Sequence, residues 1–275
     1  MEQVRRLIVN ADDFGRDHAA NEGIIDAFDR GILTTASLMV NEPAAAEAVE
    51  LAKKRPGLGV GLHLTLVCGH SALSQKEIPH LADGNHSFTY NPVKAGMCYF
   101  FNRAARAELK REIAAQFEKF RETGLTLDHV NGHLHLHLHP AVAEIVLENA
   151  KEWGIRSFRW TRDLFWAGWK LGKGPLMYRV SHAIIFNMLS KRVEKRLNQL
   201  GIRYVPRVFG LMQTSNVNEE YLLKLLDFLP EGDSEVYSHP SVEAKYQPEY
   251  QGLISKRVVS KMLQNRIQKI RCQDL

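Results

Sequence analysis

Apolar runs of strand length alternate with stretches of helical period along most of the chain, and that alternation predicts an α/β fold with parallel strands. The first run is Val4 to Ala11; Asn21 to Arg30 follows as a helix, with Gly31 placed where a left-handed C-terminal cap is common. Thr34 to Val40 reads as a second strand and Pro43 to Lys54 as a second helix, proline being suited to a first turn. Gly59 to Leu66 makes a third strand. A long polar loop then leads to Arg106 to Thr123, where Leu109, Ile113, Phe117 and Phe120 fall at helical spacing. Leu127 to Leu138 reads as a fourth strand, with Ala141 to Trp153 as the helix after it. Ile155 to Trp160, Arg203 to Phe209 and Ser234 to Ser238 supply three further strands, with helices over Ser181 to Leu200, Asn218 to Leu229 and Ser255 to Ile270. About seven strand–helix units favour a distorted TIM-like (β/α) barrel over a doubly wound sheet. No repeat or flexible linker divides the chain, so one domain over 1–275 is expected, with an insertion or lid near 162–178 marked by Phe165, Trp166, Trp169 and Gly172.

In a parallel barrel the chemistry sits at the C-terminal ends of the strands, and polar residues concentrate at four such places. Asp12 and Asp13 end the first strand; adjacent carboxylates repel unless a cation or proton lies between them, so one as metal ligand and the other as base accounts for the pair. The competing reading is a helix N-cap. His63 alternates with Gly61 and Thr65 on one strand face, where a lone histidine is more often a hydrogen-bonded core residue than a ligand. His133, His135, His137 and His139 alternate with leucines, so a strand would set all four imidazoles on one face and carry them past any single point. His239 precedes Pro240 after the last strand, where a plain turn is the bland alternative. One Asp and two His drawn from separate strands would make a three-ligand metal site with open positions, and the remaining Asp and His a base and an acid, a set suited to amide hydrolysis.

Composition trims the function classes. With 275 residues, 45% hydrophobic and 24% charged, the chain can bury one large core and is not disordered. A net charge of +5 is compatible with an anionic surface or acidic ligand but too small to argue for nucleic acid. Cys68, Cys98 and Cys272 lack the spacing of a disulfide framework or a cysteine-rich zinc module, which points to a reducing compartment. The N-terminal apolar run is too short for a signal peptide and no stretch reaches a membrane span, so a cytoplasmic protein is expected. Phe100 and Phe101 beside Arg103 and Arg106, and Trp166 and Trp169 beside Lys170 and Lys173, interleave aromatic and basic residues in a way that suits peripheral contact at the inner membrane surface; core aromatics under a solvated basic face are the alternative. A homodimer is the commonest assembly for such an enzyme, though nothing in the residues specifies one.

The segment from Leu7 to Gly15, the Gly-Leu-His of Gly61 to His63, the His-rich run from His133 and the His239-Pro240 pair, in this order, resemble the YdjC-like carbohydrate deacetylase family. The resemblance implies a divalent-metal-dependent enzyme that removes acetyl from an N-acetylated sugar, with Asp13, His63 and His133 as metal ligands, Asp12 as general base and His239 as general acid. Ligand softness favours zinc, while magnesium is often assigned in the family. Where the family often has Asp-Ser-His this chain has Asn131-Gly132-His133, which puts in question whether position 131 orients a ligand. Asp128 to Asn131, the following Leu-His repeats and Lys94 to Phe101 are similar to the branch associated with hopanoid biosynthesis, implying an N-acetylglucosaminyl hopanoid glycolipid as substrate. A soluble chito-oligosaccharide deacetylase and a non-catalytic metal- or sugar-binding protein are the alternatives, and the unligated Asp12 argues against the last.

Overall fold

The computed structural model describes residues 4–161, 176–213 and 216–275. Its frame is a parallel sheet in the order β4-β3-β2-β1-β6-β5, formed by β1 (Arg5–Phe14), β2 (Thr35–Leu38), β3 (Gly59–Leu64), β4 (Leu127–Gly132), β5 (Val208–Phe209) and β6 (Gly232–Ser238), with the short β7 (Gln268–Lys269) also pairing with β1. Helices α1 (His18–Arg30), α2 (Ala45–Lys53), α4 (Arg103–Glu122), α5 (Pro140–Glu148), α6 (Leu176–Leu200) and α7 (Glu219–Phe228) follow or separate the strands, and α3 (Pro92–Phe101), α8 (Gln247–Ile254) and α9 (Lys256–Gln264) complete the set described. β1 is buried along nearly all its length, as expected of a strand covered on both faces.

Among the described residues the sheet continues beyond β4 only as isolated parallel bridges, Val130 to Phe158 and Ser157 to Arg203. The wall therefore curls from β4 toward β5 without a continuous ladder. Pro206, which has no N–H to donate, interrupts the stretch expected as a strand from Arg203 to Phe209 and leaves β5 only two residues long. Among the described residues the result is a curled half-barrel of parallel strands, and a complete eight-stranded barrel is not formed.

Further expectations are corrected. The strand expected to run to Leu138 stops at Gly132, and His133–Leu138 forms tight turns instead. The polar loop expected before Arg106 contains α3, capped by the Asn91 side chain with Pro92 in its first turn. The helix escapes a search for periodicity because Val93, Met97, Phe100 and Phe101 are exposed while only Ala95 and Tyr99 are buried. The stretch expected as one helix from Ser255 to Ile270 is α9 followed by β7. The lid expected near 162–178 lies largely in 162–175, outside the described residues; 176–178 open α6.

The main core packs between the sheet and the helices, and a smaller one of Ile8, Val205, Val208, Tyr237, Ile270 and Cys272 includes residues of the concave face. Ile8 lies two and four residues before Asn10 and Asp12 on one strand face, so an apolar floor gives way to a polar layer and then to the site. A second stripe on α4 fastens the loop after β3: the Gln116 amide bonds both backbone groups of Thr65, Glu112 accepts from the N–H groups of Ala72 and Leu73, and Glu108 from that of His80. No helix among the described residues is long and apolar enough to cross a membrane.

Candidate active site

Neighbouring residues of a regular strand point to opposite faces, yet the carboxylates of Asp12 and Asp13 reach the same imidazole. Asp12 Oδ1 lies 3.9 Å from His63 Nδ1, and Asp13 Oδ1 lies 3.5 Å from His63 Nε2. The cause is local: the β1–β2 register slips between Ala11 and Phe14, and Asp13 takes a left-handed φ of 65°, a conformation aspartate tolerates better than most residues. The second oxygen of Asp13 receives Arg16 Nη1 at 3.1 Å.

His63 sits in register with Asn131 across β3 and β4, and its Nδ1 is 2.7 Å from Asn131 Oδ1. Space for the polar layer comes from β3 itself. A Cβ on Gly61 would stand 2.5 Å from the ring of His129, so the glycine makes room for an imidazole brought in from β4. His133 follows directly after β4, with Nδ1 3.1 Å from Asp13 Oδ1. One ligand atom from each of Asp13, His63 and His133 lies within 4.8 Å of the others, a carboxylate and two imidazoles of the kind that hold a divalent transition ion.

The other histidines of the run do not share a face. Leu134 and His135 both adopt left-handed φ, 50° and 58°, and the backbone turns away from the strand direction. Each such residue costs about 1–2 kcal/mol, so the turn must be held by its contacts. His135 Nε2 lies 2.9 Å from Tyr237 Oη, His137 Nε2 lies 3.0 Å from the carbonyl oxygen of Arg159, and the His139 ring packs edge-on against Tyr99 and Phe100. Burial, helped for both by the nearby Arg159 cation, holds His135 well below the usual imidazole range and His137 down to about 3, so both are neutral.

Arg159, which the sequence reading passed over, spans two carboxylates: Nη1 is 2.7 Å from Asp12 Oδ2 and Nε is 2.7 Å from Glu235 Oε1. Its guanidinium also lies over the ring of Tyr237. Two arginines, Arg156 and Arg159, within the strand expected from Ile155 to Trp160 were the available signal, and it did not tell one from the other. Burial alone would push the Asp12 carboxyl up, but the Arg159 cation leads the effects that together hold it far below the usual carboxylate range. Asp13 is likewise lowered, against burial, by His133, His63 and His239. His239 follows β6, its backbone N–H donating to Glu249 Oε2 at 2.6 Å and its Nδ1 3.7 Å from the same oxygen. Burial opposes its charge, yet the neighbouring Glu249 carboxylate, with those of Asp13 and Asp12, outweighs it and raises the imidazole to about 9. Glu249, on a helix the sequence did not disclose, is fixed in turn by the N–H of Val217.

A carboxylate–imidazole cluster with a second carboxylate and a further imidazole beside it, gathered at the C-terminal ends of parallel strands, lies where α/β enzymes build their active sites. More particularly, the chain belongs to the YdjC-like protein family, whose profile matches residues 6–266. It is 44% identical over 150 residues to a carbohydrate deacetylase of Brevibacillus brevis, covering 54% of this chain and 57% of that one, so the match spans little more than half the length of that relative. A carbohydrate deacetylase of Thermoanaerobacter pseudethanolicus is 27% identical over 238 residues, 86% of this chain and 82% of that one. A crystal structure from Enterococcus faecalis, of a protein provisionally named for cellobiose-phosphate cleavage, shares the fold with a TM-score of 0.74 at 21% identity, over 98% of both chains.

Proposed function

We propose that the protein is a metal-dependent N-deacetylase that hydrolyses the acetamide of an N-acetylated sugar. The observation that carries this reading is the convergence of Asp13, His63 and His133 beside Asp12 and His239, and the relatives named as carbohydrate deacetylases support it. Asp13, His63 and His133 would hold the ion, with zinc favoured by the ligand types. A divalent cation bound there would polarise the acetamide carbonyl and make water more acidic.

The protein's own groups then have distinct tasks. A carboxylate offers about four acceptor positions. On Asp12, Asn10 and Asn131 donate to Oδ1 and Arg159 to Oδ2, which leaves one position on Oδ2 to take the proton of the attacking water. A carboxylate held this acidic is a weak base, so turnover needs the cation as well. His239, protonated at neutral pH, donates to the departing nitrogen; the C–N bond breaks, and acetate and a free amino sugar leave.

The finer substrate in this proposal is an N-acetylglucosaminyl hopanoid glycolipid, met at the membrane surface. Its support is the exposed face of α3, where Val93, Met97, Phe100 and Phe101 stand out beside exposed Lys94 and Arg103, a combination suited to an anionic lipid interface. The test is mass spectrometry of the glycolipid and of N,N′-diacetylchitobiose after incubation with protein and metal, with Asp12→Asn as control. Loss of one acetyl from the lipid with the wild type alone is expected. Loss from the soluble sugar only would overturn the lipid assignment, and no loss from either would leave a binding protein.

A further inference from the structure

Metal ligation by histidine requires the lone pair, and not the N–H, of one ring nitrogen to face the ion, so something must decide which nitrogen carries the proton. For His63 the hydrogen-bond inventory makes that decision. Asp12 is paired with the Arg159 guanidinium at 2.7 Å and serves as an acceptor, so the group of Asn131 that lies 3.0 Å from Asp12 Oδ1 is its Nδ2. The second N–H of the same nitrogen goes to Ser37 Oγ at 2.8 Å. The carbonyl Oδ1 is then the atom 2.7 Å from His63 Nδ1, and it has no proton to give. His63 must therefore donate from Nδ1, which leaves Nε2, 3.5 Å from Asp13 Oδ1, as the nitrogen whose lone pair an ion could take.

The carboxamide is held from behind by a chain whose directions are equally constrained. Ser37 Oγ accepts from both Asn131 and Asn10, so its single proton goes to His129 Nε2 at 2.9 Å, a shorter contact than the 3.3 Å to Asn10 Oδ1. His129 then donates from Nδ1 to Asp128 Oδ2 at 2.9 Å, and Asp128 is pinned through its other oxygen by the backbone N–H of Gln273. Asn131, Ser37, His129 and Asp128 are all buried, so water does not substitute for these partners at the surface.

We infer that Asn131 is a positioning residue that sets the tautomer of His63, and that the buried Ser37–His129–Asp128 chain holds its carboxamide in the orientation that does so. The inference rests on the metal-centre reading for its purpose but not for its geometry. Sequence alone put a role for position 131 in question because it lacks a carboxylate; the carboxamide can do what a carboxylate cannot, accepting from His63 while donating to Asp12.

Long-range proton–nitrogen NMR on metal-free protein, recorded with a single proton on the ring, reads the tautomer directly, and titration calorimetry reads zinc affinity. In the wild type the His63 proton is expected on Nδ1. Asn131→Leu, checked for folding by circular dichroism, is expected to lose that preference and to bind zinc about 10–100-fold more weakly. Asn131→Asp keeps an acceptor for Nδ1 and is expected to retain the tautomer and bind zinc more tightly than Asn131→Leu, though it cannot donate to Asp12. Ser37→Ala is expected to fall between wild type and Asn131→Leu, and an unchanged zinc affinity there would remove the outer chain from the account. A wild-type proton on Nε2 overturns the inference whether or not any variant folds, as does an Asn131→Leu protein that binds zinc like the wild type. A wild type that binds no zinc would count against the metal centre, while the tautomer in wild type and Asn131→Leu would still decide what Asn131 does to His63.

Discussion

The Asp12 carboxylate shows how far a residue's chemistry depends on its partners. Two carboxamides and a guanidinium leave it one acceptor position, and the buried Arg159 keeps it charged. Asp12→Asn removes the base without removing a proposed ligand. Its kcat/KM is expected to fall by about 10²–10⁴-fold while bound metal, measured by elemental analysis, stays at the wild-type level. Loss of metal would instead make Asp12 part of the ligand set. The pH dependence follows from His239. An acid works while it is protonated, and this imidazole is raised to about 9, so activity should persist through neutral pH and decline as pH rises through about 9. Asp12, lying far below the usual carboxylate range, should set no acidic limb above about pH 4. A basic limb near the ordinary imidazole pKa of about 6.5, seen in the profile of kcat/KM, would show that the carboxylates around His239 do not raise it in the working enzyme, and an unchanged limb in His239→Ala would remove it from the role of acid.

Elements bring these residues together through departures from regularity. The slip and left-handed residue at the end of β1 swing two adjacent carboxylates to one side, and the left-handed pair after β4 sends four alternating histidines to four different neighbourhoods. A period-two reading could not anticipate either, because it assumes that the strand continues. α4 was legible through its apolar stripe, whereas nothing in the period of the chain marks Glu108, Glu112 and Gln116 as the buried groups that fasten the loop after β3. α3 has the opposite character, with apolar side chains turned outward. If that face meets lipid, replacing Phe100 and Phe101 together by serine should markedly reduce cosedimentation with anionic phospholipid vesicles and leave hydrolysis of a soluble acetamido sugar within about twofold of wild type. Equal binding by the double variant would assign the face another role.

At the scale of the whole molecule, a cation held by β1, β3 and the turn after β4 would tie together segments far apart in the chain. Any ligand that binds the folded form alone stabilises it by mass action, by about 2.7 kcal/mol at one hundred times its Kd. Dialysis against a chelator is therefore expected to lower Tm by several degrees and abolish turnover, and single-metal add-back to restore both; restoration by magnesium alone would overturn the zinc preference. The sequence by itself determined the alternation of strands and helices, and with it the parallel sheet and the strand ends at which Asp12, Asp13, His63, His133 and His239 lie, because burial on both faces of a strand and one face of a helix leaves a periodic trace. Only the tertiary structure decided that both aspartates face one imidazole, that Arg159, itself paired with Glu235, holds Asp12, that Glu249 lies beside His239, and that Asn131 meets His63. These are contacts between residues as far apart as Asp12 and Arg159, set by a slipped register, two left-handed turns and the curl of a sheet, and a contact of that kind leaves no period in the chain to read.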